Sequence, residues 1–120
     1  MKLTGSAAVH PTEDQDRVSS AILNIFPAAR LVSTGTSVEF ETSFADRFVE
    51  ALREQQIRDT AMMVLKNAME GGSTSFHLNK QAAFMGKVNF TEGRSTLGDI
   101  EVTVIEGAEL LISAIDHRHD

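Results

Sequence analysis

The strongest chemical signal in the sequence is a stretch of amide and lysine side chains without any acid. Residues Gly71–Thr91 contain no Asp or Glu, although the chain has 17 acids and a formal net charge of −6. The stretch offers hydrogen-bond donors of the kind that contact the phosphates, sugars and base edges of RNA. An arginine in the loop that follows extends this set. The predicted RNA-binding residues are Asn79, Lys80, Gln81, Lys87 and Arg94.

Three features of the sequence limit this prediction. The negative net charge excludes the whole-surface basicity of strong, non-specific nucleic-acid binders, so an RNA site must be local. Glu39 and Glu41 lie on the polar side of a predicted strand and disfavour phosphate across the whole sheet. Phe76 and Phe90 are predicted to face the core, where they cannot stack on bases. The alternative is that the acid-free segment is a solvated sheet face that happens to be rich in amides.

Catalytic and metal chemistry find no positive support. Gly86-Lys87 falls short of a phosphate-binding loop, because Gln81 stands where its first glycine is required and Val88 where Ser or Thr is required. His10 could act as a base, but no Ser, Cys or paired carboxylate at a known spacing accompanies it. The absence of cysteine excludes disulfides and cysteine-ligated zinc. We therefore expect no enzyme, no catalytic residue, no metal and no cofactor.

Two predicted strands and the segment between them must position the acid-free stretch. Phe76 and Leu78 alternate with polar residues, as do Val88 and Phe90, which is the pattern of half-buried strands. Residues 80–85 are predicted to be a helical turn or a loop. The apolar sides of both strands should therefore build core, and their polar sides should face solvent.

The chain before this segment predicts a strand followed by a helix. Leu3–His10 alternates apolar and polar residues, and the proline that follows cannot continue a central ladder. Thr12 is predicted to cap a helix that runs to about Ile25, with Gln15 completing a capping box.

A second strand and a long helical region come next. Residues 33–37 read as a turn, Val38–Phe40 as a strand, and Ser43 as the cap of a helix. The apolar face of that helix is predicted to carry Phe44, Phe48 and Leu52, which are spaced four apart. The apolar phase slips across residues 53–56, which predicts a break, and a second helical piece should then run to Gly71-Gly72.

The last third of the chain predicts one more strand and one more helix. Ile100, Val102 and Val104 alternate as a strand, and a helix should begin near Gly107. Residues 117–120 are expected to be a flexible tail after a single domain of residues 1–116.

These elements together indicate an α+β fold in the order β-α-β-α(α)-β-β-β-α. We expect a mixed or antiparallel sheet with helices on one face, since the late strands leave no room for a crossover helix between them. A length of 120 residues suits a single domain. No stretch reaches the roughly 20 apolar residues that a membrane span needs, so we expect a cytoplasmic protein.

Three stretches of the chain also resemble a known family. His10–Pro27, Leu52–Ala61 and Phe76–Phe90, above all the Leu-Asn-Lys-Gln-Ala-Ala block of residues 78–83, are similar to a family of small archaeal proteins labelled "RNA-binding domain". The resemblance covers nearly the whole chain in order. It implies the α+β fold of the large-subunit ribosomal protein that holds five-S ribosomal RNA, and an archaeal cytoplasm. It assigns no catalytic residue.

The sequence therefore predicts a non-catalytic protein that binds structured RNA through residues 71–91, with RNA as its partner and no membrane association. The alternative is a protein-interaction or dimerisation module without a nucleic-acid role, whose partner would be a second copy or another protein. An enzyme is the third choice.

Overall fold

Strands and helices are interspersed along the chain. This computed structural model describes residues 1–94 and 98–117. The strands are β1 (Lys2–Ala8), β2 (Arg30–Ser33), β3 (Ser37–Thr42), β4 (Thr74–Asn79), β5 (Phe90–Thr91) and β6 (Asp99–Glu106). The helices are α1 (Gln15–Ile25), α2 (Asp46–Glu54), α3 (Arg58–Asn67), α4 (Lys80–Phe84) and α5 (Ala108–Asp116). Among these residues, no helix combines the length and apolarity needed to cross a bilayer.

The strands form one antiparallel sheet in the order β2-β3-β1-β6-β4-β5. Side chains alternate across it, so that Val38 and Phe40 of β3 are buried while Glu39 and Glu41 are exposed. The helices cover the apolar face, and the polar face is open. The predicted α+β class and the antiparallel late strands are confirmed.

The strand β2 was missed by the sequence analysis. It forms a hairpin with β3 through residues 34–36, in which Gly35 has φ 90°, a conformation that favours glycine. Leu31 is half-buried, and the other three residues of β2 are exposed. A strand of four residues with a single half-buried side chain shows almost no alternation of apolar and polar residues, so periodicity could not identify β2.

The start of α1 differs from the prediction. Asp14, not Thr12, caps the helix, and its carboxylate accepts a hydrogen bond from the Asp16 N–H at 2.9 Å. Thr12 is instead bonded to the His10 ring, 2.8 Å from Nδ1. A carboxylate beside the positive end of the helix is a better cap than a hydroxyl, which explains the choice.

The predicted break between the two central helices is confirmed. α2 ends at Glu54 and α3 begins at Arg58, and Gln56 between them has φ 58°. Three details were wrong. Ala45 rather than Ser43 precedes α2, with no side-chain cap, and Phe44 is 62% exposed instead of buried with Phe48. α3 also stops at Asn67, short of the predicted glycine pair.

Stacked phenylalanine rings run through the core from one side of the sheet to the other. Phe26 stacks on Phe40 and on Phe48, with ring centroids 5.6 Å and 5.7 Å apart, and Phe48 stacks on Phe76 at 5.3 Å. Gly5 makes room for this row, because a Cβ there would collide with the Phe40 ring and with the Glu101 carbonyl. The row joins both halves of the sheet into one core.

The C-terminal helix α5 ends close to the predicted tail. The carbonyl oxygen of His117, the first residue of that tail, accepts hydrogen bonds from Arg58 at 3.1 Å and Arg53 at 3.5 Å. The other tail residues, 118–120, lie outside the described residues, so the domain boundary at residue 116 stays a prediction.

Candidate nucleic-acid interface

The acid-free segment folds as β4, α4 and the short strand β5. Three of its four predicted core residues are buried, with Phe76 3% exposed, Leu78 1% and Val88 2%. The fourth, Phe90, is half-buried and packs its ring against that of Phe76. The second predicted strand shrinks to Phe90–Thr91. Val88 instead pairs with a side chain: Gln55 donates to its carbonyl oxygen and accepts from its N–H, both at 2.7 Å. The segment is thus held to the break between α2 and α3.

Lys80, a central residue of the predicted site, points into the protein. It is 3% exposed, and its Nζ donates to the Ala8 carbonyl oxygen at 2.7 Å and to Glu13 Oε1 at 2.9 Å. The Glu13 carboxylate also accepts from the His10 N–H at 2.8 Å. Lys80 therefore joins the start of α4 to the end of β1 and the loop before α1. This arrangement corrects the expectation of a solvated lysine.

Glu13 is the acidic partner of this internal ion pair. Burial of its carboxyl group by itself raises the pKa, but the hydrogen bonds from Lys80 and from the His10 backbone, with the Lys80 charge, outweigh burial. The pKa of Glu13 therefore lies below its ordinary value. The carboxylate stays ionised and the pair stays closed at neutral pH.

The other predicted residues divide between structural and exposed positions. Asn79 caps α4, where its Oδ1 accepts from the Ala82 N–H at 2.8 Å, and it is half-buried. Gln81 and Lys87 are exposed. Arg94 is also exposed and forms an ion pair with Glu92 at 2.7 Å. Exposed pairs of this kind contribute little free energy, so Arg94 can exchange its partner at low cost.

The surface beside α4 includes groups that the sequence analysis missed. The Arg17 guanidinium lies over the Phe84 ring, 4.2 Å from its centroid, and Asn24 donates to the Ala83 and Phe84 carbonyl oxygens at 3.1 Å and 3.0 Å. A groove of about 330 Å³ separates α1 from α4. It is lined by Thr12, Glu13, Asp14, Arg17, Val18, Ala21, Lys80, Gln81 and Phe84. No periodic pattern could have paired Arg17 with Phe84, because the contact joins two helices that are distant in sequence.

The open face of the sheet carries acids at its centre. Glu39 lies opposite Ser6 of β1, which lies opposite Glu101 of β6, so two carboxylates flank one serine across three strands. Glu41 follows on the same face, and this face holds a shallow depression of about 550 Å³. Carboxylates at these positions repel phosphates. RNA cannot use the centre of this face as its main contact surface.

Near β5, the open face of the sheet carries a histidine. His77 is half-buried and lies between Glu101 on β6 and Thr91 on β5. Its ring packs against Gly93, where a Cβ would approach to within 2.9 Å. Among the described residues, no three His, Asp or Glu side chains are placed to hold a metal ion.

The family model described as "RNA binding" matches residues 2–105. The chain belongs to this family. Among its relatives, the UPF0201 protein of Methanocaldococcus jannaschii is 45% identical over 75% of this chain, and that of Methanothermobacter thermautotrophicus is 37% identical over 86%. The predicted membership in an RNA-binding-labelled archaeal family is thus confirmed.

Solved structures show the same fold. The crystal structure of the UPF0201 protein from Methanococcus jannaschii is similar with a TM-score of 0.87, at 38% identity, covering 100% of this chain and 96% of that one. A second UPF0201 crystal structure has a TM-score of 0.81, at 35% identity, over 87% of this chain and 81% of that one. The further implied likeness to a ribosomal protein stays a prediction.

The relatives differ in how much of their length this chain matches. It spans 56% of the Methanocaldococcus jannaschii relative and 30% of a UPF0200/UPF0201 protein of Archaeoglobus fulgidus, but 80% of the Methanothermobacter thermautotrophicus protein. The activities and partners of those longer proteins are therefore not transferred to this chain.

Proposed function

We propose that the protein binds structured RNA, without catalysing a reaction, through the side of the molecule formed by α4, β5 and the residues that flank them. The observation that carries the proposal is membership, over residues 2–105, in a family described as RNA binding. The proposed setting is the cytoplasm of an archaeal cell, where the ribosome and its RNA are found.

The distribution of charge decides where RNA would approach. Glu39, Glu41 and Glu101 occupy the middle of the open sheet face, so phosphates are disfavoured there. Lys87 and Arg94 lie on either side of β5 along the chain, and both are exposed. The β5 edge of the sheet thus offers a phosphate backbone two exposed cations, and phosphate would replace Glu92 as the partner of Arg94.

The five predicted residues would then have different roles. Gln81, Lys87 and Arg94 would touch RNA, the cations through phosphates and the amide through a sugar or base edge. Lys80 and Asn79 would act indirectly, because their polar groups already hold α4 in place. Arg17, stacked on Phe84 beside Gln81, adds a planar cation of the kind on which unpaired bases stack.

Fluorescence anisotropy with a labelled hairpin RNA, measured across a range of salt concentrations, tests this assignment. Lys87→Ala combined with Arg94→Ala should weaken binding and reduce the slope of log affinity against log salt by about one to two, since two phosphate contacts are lost. Both residues are exposed, so the double variant should keep its fold.

The matched control is Lys2→Ala combined with Lys66→Ala, which removes the same charge from exposed positions on β1 and α3. It should leave the salt slope nearly unchanged. If both double variants lose the same affinity, binding depends on net charge alone and the proposed site is wrong. If the unaltered protein shows no salt-dependent binding at all, the RNA function is wrong.

A further inference from the structure

One edge of the sheet is open for pairing with another strand. Among the residues that the structure describes, β3 is the one strand that pairs with β2, which ends the strand order of the sheet. At the opposite edge, β5 is only two residues long. A strand edge with unpaired backbone groups is a template for a further strand, and proteins usually shorten, charge or cover such edges.

The hairpin geometry shows which backbone groups of β2 point outward. In an antiparallel pair, alternate residues direct their N–H and C=O groups to the partner strand. The Thr34 N–H donates to the Ser37 carbonyl oxygen at 2.9 Å, so Thr34 faces β3. Val32 and Arg30 therefore face β3 as well, and Leu31 and Ser33 direct their N–H and C=O groups away from the sheet.

Arg30 places one charge at the start of β2, and the rest of the strand carries no side chain that protects the edge. Its sequence, Arg-Leu-Val-Ser, contains no proline, no lysine and no acid, and its pairing with β3 runs without a bulge. Val32 is 62% exposed on the open face, beside Glu39 of β3. An exposed β-branched residue on an unpaired edge favours strand addition.

We propose that β2 pairs with β2 of a second copy of this chain, giving a dimer with one continuous twelve-stranded sheet. A two-fold axis through Val32 sets Leu31 opposite Ser33 of the second copy, and Ser33 opposite Leu31 of the second copy. Both residues point outward, so four backbone hydrogen bonds form, and the two Val32 side chains meet at the close, non-hydrogen-bonded position.

Charge is compatible with this register. Arg30 lies opposite Thr34 of the second copy, and the two Arg30 side chains stay about 13 Å apart along the strands, given a rise of roughly 3.3 Å per residue. Each chain carries a net charge of −6, so the two copies repel at long range. Added salt screens this repulsion and strengthens the dimer. The proposed RNA complex responds to salt in the opposite direction, so the two proposals are tested independently.

Sedimentation equilibrium over micromolar to millimolar protein tests the dimer. Ser33→Pro removes an outward N–H without touching the bonds between β2 and β3, because proline is tolerated on strand edges. It should raise the dimer dissociation constant at least tenfold. Ser33→Ala, the matched control, keeps the N–H and should change it less than twofold.

Val32→Lys is the second variant, in case the proline weakens the hairpin, and it should also abolish the dimer by opposing two charges at the axis. Leu110→Lys alters another exposed apolar residue, 65% exposed on α5, and should have no effect. A monomer at every concentration and salt overturns the proposal. So does a dimer that survives Ser33→Pro and Val32→Lys, or one that only Leu110→Lys dissociates.

Discussion

Lys80 and Lys87 come from the same acid-free segment, yet the fold uses them in opposite ways. Lys80 follows the last residue of β4, is 3% exposed and joins the start of α4 to the Ala8 carbonyl oxygen and the Glu13 carboxylate. Lys87 lies in the turn after α4 and is exposed. A lysine in sequence therefore indicates a charge but not where that charge acts. Buried at a junction it stabilises the fold, and only on the surface is it available to a partner.

The largest expected difference between these two lysines is in stability. Lys80→Met removes the donor from Glu13 and from the Ala8 carbonyl oxygen, and should lower the free energy of unfolding by roughly 2 to 3 kcal/mol. The cost stays near the low end because the Glu13 side chain, 25% exposed, can regain water. Lys87→Met should change the free energy of unfolding by less than about 0.5 kcal/mol. Urea unfolding of both variants measures the difference, and equal midpoints would contradict the structural role of Lys80.

A second, smaller effect on stability is expected from Gln55, which holds the turn that carries Lys87 through its hydrogen bonds to Val88. Gln55→Ala leaves the buried Val88 N–H and carbonyl oxygen without the side chain that pairs with both, and should cost about 1 to 2 kcal/mol. Hydrogen exchange of the Val88 amide should accelerate about tenfold or more in this variant. Gln81→Ala, at an exposed glutamine, is the control and should leave that amide unchanged. An unaltered exchange rate in Gln55→Ala would show that the turn is held by other contacts.

The smallest effect is a dependence of stability on pH. The folded-state pKa of Glu13 is below its ordinary value of 4.5, so its contribution is fully present above pH 4.5 and is lost as pH falls through the folded-state pKa. Glu13→Gln should therefore flatten the acid side of the stability curve. Urea unfolding between pH 7 and pH 3 measures this, and an unchanged acid slope would separate Glu13 from the Lys80 pair.

Salt should distinguish the enclosed Lys80–Glu13 pair from an exposed ion pair on α2. Glu54 also has a lowered pKa, because Arg47 hydrogen-bonds to its carboxylate on the exposed side of α2. In 0.5 M salt, a concentration at which the Debye length is on the order of 4 Å, the contribution of that exposed pair should fade while the enclosed Lys80 pair persists. Repeating the titration of Glu13→Gln and Glu54→Gln in high salt distinguishes the two.

Much of the fold was predictable because it follows local patterns. The alternation of Phe76 and Leu78 with polar residues identified a strand face that is indeed buried. The break after Glu54 was visible as a one-residue slip in the apolar phase. The strand β2 was not visible, since a four-residue edge strand carries hardly any alternation.

The candidate site was predictable only as a segment. Residue types alone placed Lys80, Asn79, Gln81 and Lys87 in one set, but a residue at a strand-to-helix junction can turn either way. Which way depends on groups such as Glu13 and the Ala8 carbonyl oxygen, which approach from another part of the chain.

The sequence by itself determined the α+β class, the antiparallel pairing of the late strands, most of the core faces and the family. These depend on periodicity, turn residues and sequence similarity, which are local or linear. The tertiary structure alone decided that Lys80 is internal, that acids occupy the centre of the open face, and that β2 presents Leu31 and Ser33 at a free edge. These depend on which strands become neighbours, because burial and electrostatic potential are set by contacts between residues distant in sequence.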